Sequence, residues 1–266
     1  MAPRKPFNYL LWANLIAAFL AAIWGPTARA QFGPLLSPAQ APQAQSEEEL
    51  DAYLEIVASP DPRTTIKKAE LFSSQYAQSQ LLGIALQYEM IAQSQLGDFE
   101  GVLWAGGRAL QLEPGNLNTL LTLASFMPTR VAGRNDADKL LQQAEEYARE
   151  ALLGIDRTKI SMEIPLKDWE IRKREMQSEA HEALGQVALA RNQWPGAISE
   201  FEAAIKTSPS PTGAQFLRLG VACAKVGQTT RAQEAFRQAS SLGSDAVRRL
   251  AEGQLANLSN GNQRSR

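Results

Sequence analysis

The sequence predicts an all-α chain built from stacked antiparallel helix pairs. Three observations predict it. Ala, Leu, Gln and Glu are abundant, and all are good helix formers. Gly185, Ala197, Phe201 and Ala204 return 35 residues later as Gly220, Ala232, Phe236 and Ala239, and Leu184 returns as Leu219. Within each unit the Ala-Phe-Ala spacing of four and then three places these side chains on one helical face.

Composition narrows the function classes. Lys plus Arg number 27 against 28 Asp plus Glu, so the basic excess that nucleic-acid binding requires is missing. The partner expected is a protein or peptide, with no nucleic acid. Cys223 and His181 are the single cysteine and histidine. No disulfide can form within the chain, and a Cys/His zinc site lacks ligands.

The first thirty residues read as an address. Arg4 and Lys5 precede an apolar stretch from Tyr9 to Trp24, and Ala28-Arg29-Ala30 supplies a small-x-small cleavage site. Residues 1–30 are therefore expected to be a signal peptide, cut to leave Gln31. The apolar stretch is short for a membrane span, which needs about 20 residues. The alternative is an uncleaved anchor, and only then does a membrane enter the partner list. Removal takes three of the 27 basic groups and none of the 28 acids, leaving a net charge of −4. Residues 31–45 hold Pro34, Pro38 and Pro42 without apolar period and predict a flexible linker.

The physics of the repeat is close packing. A second helix crosses the first where Gly185 and Gly220 stand, because a side chain there would push the two apart. Asn192-Gln193-Trp194 and Gly227-Gln228-Thr229 link the helices. Pro209 ends the second helix of one unit, and Ser244 replaces it in the next. A period near 34 residues with these residue types resembles the tetratricopeptide repeat (TPR) family, in an exported bacterial form. The resemblance covers roughly residues 47–258. It implies a right-handed solenoid of antiparallel helix pairs, used as a scaffold for binding other proteins.

The same grammar appears upstream. Gly97-Asp98-Phe99 keeps the turn, and Val102, Gly106, Ala109 and Pro114 follow at matching offsets. Here Gly106 stands for the large residue and Met90 for the crossing glycine; Glu89 and Gln93 also depart from the pattern. In a third unit Leu120, Leu123 and Ala124 lead to Ala144, Ala148 and Ala151, eight residues late, with a loop inserted around Pro128 to Asp138. Ser46 and Glu49 predict a capping box for a helix to about Ala58, and a second helix spans roughly Arg63 to Gln78. Residues 46–156 thus comprise one degenerate pair and two repeat-like pairs. Residues 178–243 form two repeats. A capping helix fills 244–258, with Val247, Leu250 and Leu255 inward, and 259–266 form a disordered tail.

Residues 157–177 belong to no repeat. This charged insertion predicts one helix of about 26 residues starting at Leu166, its first half projecting beyond the array. Trp169 packs near Tyr147 or serves as a partner-binding knob, since aromatics are enriched at hot spots.

Nothing in the chain has the spacing of an enzyme site: no paired acids, phosphate loop or nucleophile elbow. His181 is expected as a satisfied, half-buried side chain and Cys223 as a small hydrophobe. No cofactor is expected. By family analogy the first helices line a concave groove, giving Gln87, Ile91 and Ser94, then Glu179, Glu182, Gln186 and Leu189, then Leu217, Val221 and Lys225 as partner-binding candidates. The expected role is a non-catalytic adaptor of the bacterial cell envelope, periplasmic or secreted. The alternative is a membrane-tethered factor that assembles outer-membrane proteins or cell-wall polymer.

Overall fold

A computed structural model describes residues 42–158 and 165–264. The expected signal segment, most of the linker, and residues 159–164 lie outside the described residues.

Among the described residues there are eleven α-helices and no strand. They follow one another as α1 (Glu47–Val57), α2 (Pro62–Gln75), α3 (Leu82–Leu96), α4 (Phe99–Leu112), α5 (Leu117–Phe126), α6 (Ala137–Arg157), α7 (Leu166–Ala190), α8 (Trp194–Thr207), α9 (Gly213–Lys225), α10 (Thr229–Leu242) and α11 (Asp245–Arg264). A short 3₁₀ turn, Met127–Arg130, opens the loop between α5 and α6. Odd and even helices pair, and each pair packs on the next, so the chain is a solenoid of helix pairs ending on α11.

The joint inside each pair is set by two positions, sixteen residues apart in four pairs and twenty-four in α5 and α6, where the loop adds eight. At α7 and α8 these are Gly185 and Phe201; at α9 and α10 they are Gly220 and Phe236. A Cβ added to either glycine would lie 2.6 Å from the phenylalanine ring. Both rings are fully buried, each worth about 2–3 kcal/mol of apolar burial. In α3 and α4 the sizes are exchanged: Met90 reaches over, and a Cβ on Gly106 would meet its sulfur at 2.8 Å. The apparent loss of pattern at Gly106 is therefore a compensated swap. At α1 and α2 the same positions hold Ile56 and Phe72, both in the N-terminal core cluster. At α5 and α6 they hold Ala124 and Ala148, and the gap is covered by Ala183, Leu184 and the flanks of Tyr147 and Leu152.

The turns repeat as closely as the joints. Gly97, Asn192 and Gly227 all adopt the left-handed conformation, with φ of 72°, 60° and 74°. In each turn the next residue's N–H reaches back five positions: Asp98 to Gln93, Gln193 to Ala188, and Gln228 to Cys223, at 3.0, 2.8 and 3.0 Å. This backward bond satisfies carbonyls that the helix end leaves free and reverses the chain sharply. Asn192 tolerates the left-handed φ better than most residues other than glycine.

Several expectations are revised. Ser46 caps α1, its Oγ accepting from the Glu49 N–H at 3.1 Å, but the Glu49 carboxylate accepts from Gln45 rather than from Ser46. Helix α2 ends at Gln75, where Tyr76 turns out of helical geometry. Leu250 points outward at 59% exposed, because Val247, Ala251, Leu255 and Leu258 form the stripe that meets the core. Helix α11 continues to Arg264, beyond the expected end at Leu258. Once nucleated on a packed segment, a helix adds a backbone hydrogen bond per residue at no further nucleation cost.

The first half of α7 does not project. Trp169 is 4% exposed, in a cluster with Leu117, Leu121, Ile155 and Met176, and Tyr147 packs at its edge. Lys173 pairs with Asp156 at 3.1 Å and secures the same contact. The reason is a single stripe: Trp169, Met176, Ala180, Ala183 and Val187 are spaced seven, four, three and four, so one face stays inward for the whole helix. The long α6 supplies the matching surface, since its own stripe runs from Leu140 to Ile155.

The candidate groove

From α1 to α7 the first helices of successive pairs pack side by side, α1 on α3, α3 on α5 and α5 on α7, whereas α9 packs chiefly on α8 and α10. Successive second helices show no comparable contact. Over α1 to α7 the array therefore closes on the side of the first helices, and their residues facing away from the second helices line its inner surface.

Most sequence-derived candidates lie on these helices. Gln87 is buried; Ile91 and Ser94 are half-buried on α3. Glu179, Glu182, Gln186 and Leu189 are half-buried on α7, as are Leu217 and Val221 on α9. Leu189, Leu217 and Val221 pack with one flank against the C-terminal core. Lys225 is exposed, its Nζ 5.7 Å over the Trp194 ring at the start of α8. Trp169 is removed from the candidates, because its burial leaves no ring face for a partner.

The structure brings Ser94 and Glu179 together, far apart in sequence, in an open cavity of about 230 Å³. Thr122, Ser125, Phe126 and Thr129 complete its lining. These four, from α5 and the turn after it, are not among the expected residues. Three of them share α5 with Leu120, Leu123 and Ala124, whose register the sequence does show, and Thr129 falls in the inserted loop. Burial pushes the Glu179 carboxyl above its usual range; Arg172 opposes this, Glu182 and Glu175 add to it, and a Ser125 hydrogen bond opposes it.

Ion pairs flank the cavity. Arg172 reaches Glu175 at 3.5 Å and donates to the Asn118 amide oxygen at 3.2 Å. Glu182 pairs with Arg218, tying α7 to α9. Arg172 and Arg218 are groove residues outside the expected set, one inside a charged insertion and one beside an apolar candidate.

The groups with chemical potential are otherwise engaged. His181 lies half-buried with Nδ1 2.8 Å from Glu200. Cys223 is buried, and that burial raises its thiol above the ordinary range. Ser178 Oγ donates to the Ala204 carbonyl at 2.9 Å and accepts from Gln215 at 3.1 Å, joining the last two pairs through a satisfied buried link. Among the described residues no three metal-capable side chains converge.

No protein-family model matches this chain. No curated protein matches it either. Solved structures do. A thermophilic TPR protein of Thermus thermophilus superposes with a TM-score of 0.52 at 14% identity, over 80% of this chain and 97% of that one. The fold is that of the tetratricopeptide repeat. MamA of Desulfovibrio magneticus aligns more loosely, at a TM-score of 0.49 and 13% identity, over 75% of this chain and 97% of that one. The five TPR-like pairs with their terminal helix account for every helix among the described residues.

Proposed function

We propose that this chain is a non-catalytic scaffold of the bacterial cell envelope that holds a segment of a partner protein in the inner groove. The observation that carries this reading is the inner face itself. First helices present half-buried polar and apolar side chains there, around an open cavity. Interfaces that hold a peptide use such a mixture, with apolar groups for affinity and polar groups for register. Export rests on the basic start, apolar stretch and Ala28-Arg29-Ala30 site.

Site-specific photo-crosslinking in the native envelope tests the binding surface. A photoreactive residue at Gln186 or Val221 is expected to capture a discrete partner, and the same residue at Gln238, exposed on α10, is not. Equal capture from both faces would place the partner elsewhere. Mass spectrometry of the native protein tests export: a chain starting at Gln31 fits a released adaptor. The apolar stretch from Tyr9 to Trp24 supports a second reading, a tethered assembly factor, and an intact Met1 region would favour it.

A further inference from the structure

The cavity between α3, α5 and α7 has an unusual balance of protons. A hydroxyl has one proton to donate and two lone pairs. Ser94 Oγ gives its proton to the Ile91 carbonyl at 2.7 Å, and Thr129 Oγ1 gives its own to the Phe126 carbonyl at 2.7 Å. Ser125 hydrogen-bonds to Glu179, whose ionised carboxylate can only accept. Three of the four hydroxyls on the wall, all but Thr122, thus spend their protons elsewhere and have only lone pairs to offer the space, and Glu179 adds carboxyl oxygens.

The charges nearby cancel Glu179 only in part. Arg172 reaches Glu175 and Asn118 through its terminal nitrogens, keeps a buried Nε without a hydrogen-bond partner and draws the Glu179 carboxyl down, while Arg218 is paired with Glu182. Among the described residues Glu179 makes no ion pair of its own. A desolvated carboxylate without a partner is costly, and the cost is recovered when a cation arrives with its own donors. Phe126 already has Arg130 over its ring at 5.8 Å and stacks on Phe99, so the discrimination falls to Glu179 and the hydroxyls.

We infer that this cavity is a subsite for one lysine or arginine side chain of the bound partner segment. The inference rests on the groove being the binding surface and adds the chemistry of what enters it. An ammonium or guanidinium brings several donors to a wall of acceptors and a positive charge that stabilises the ionised form of Glu179. A carboxylate, phosphate or neutral amide oxygen finds no donor among the three committed hydroxyls.

The probe is a phage-displayed library of random dodecapeptides, selected on the purified full chain and on Glu179→Gln. Peptides enriched on the unaltered chain are expected to share a basic residue at one aligned position, and those enriched on Glu179→Gln are not. Replacing that basic residue with norleucine in a synthetic peptide should weaken binding to the unaltered chain at least about tenfold and leave Glu179→Gln nearly unchanged. Glu179→Gln should melt no lower than the unaltered chain, since it removes a desolvated charge. Thr122→Lys is the second variant: a tethered cation in the cavity should erase the basic preference in the same way. Peptides selected without basic preference, or with the same preference on both variants, would overturn this inference and leave the groove standing. If neither the unaltered chain nor the variants enrich any peptide, the groove and its subsite fall together.

Discussion

The pairs α3/α4 and α7/α8 solve one packing problem in opposite ways. In α7/α8 a glycine on the first helix admits a phenylalanine from the second. In α3/α4 the first helix carries Met90 and the second yields at Gly106. Both joints are fully buried, and both keep the helices in contact over a similar span. The difference teaches that in these two pairs one large side chain must fill the joint and that either helix can supply it. Interiors packed at crystal-like density tolerate neither a hole nor an excess of volume there.

The largest test of this comparison is truncation of the ring. Phe201→Ala or Phe236→Ala leaves a hole facing a glycine, with no side chain to collapse into it, and should lower unfolding free energy by about 3–5 kcal/mol. Met90→Ala should cost less, about 2–3 kcal/mol, because the flexible thioether fills less volume and Leu123 stands close to Gly106. Denaturant unfolding measures both, and equal losses would mean that the two joints do not differ in the way described.

A second difference concerns charge. Next to Met90, Glu89 is 1% exposed and its Oε2 has no hydrogen-bond partner. Burial pushes its carboxyl up to about 7, with Glu70 adding and Arg108 opposing. The folded chain holds this proton where the unfolded chain, near 4.5, has lost it. Stability from this group is full below 4.5 and falls as pH rises through 7. Glu89→Gln should remove that slope and stabilise the chain at pH 8 by about 2–3 kcal/mol, read from thermal melts across the range. A slope that survives the substitution would assign it to other carboxylates.

The most direct test transplants one joint onto the other. Gly185→Met alone should cost about 1–3 kcal/mol by overpacking against Phe201. Combined with Phe201→Gly it rebuilds the Met90 and Gly106 arrangement, and the double variant should recover at least about 1 kcal/mol of the summed costs. Strict additivity would show that the swap at α3/α4 is not compensation.

The smallest effect lies in the turns. Asn192→Gly relieves a left-handed residue and should stabilise by about 0.5 kcal/mol, while Gly227→Asn should cost a similar amount. Melting temperatures of the two variants should move in opposite directions.

Part of the groove is legible in the sequence. Ser94 and Glu179 follow from the repeat period, because each lies one helical turn or two from the joint position of its own first helix. Thr122, Ser125 and Phe126 flank Ala124 on α5, in a register the sequence does show, yet which of them border a cavity depends on how α3 and α7 pack on either side. Trp169 is ambiguous for another reason. A charged segment at the start of α7 reads as solvated, and its inward stripe has meaning only once α6 offers a surface to meet it.

The sequence by itself determined the helices, the left-handed turns and the recurring small-large joint, because these depend on periodicity and on backbone freedom that act within a few dozen residues. Tertiary structure alone decided which volumes compensate, where Trp169 packs, and which hydroxyls surround Glu179. Those relations join side chains separated by up to 85 positions, and only the stacking of one pair on the next brings them within reach.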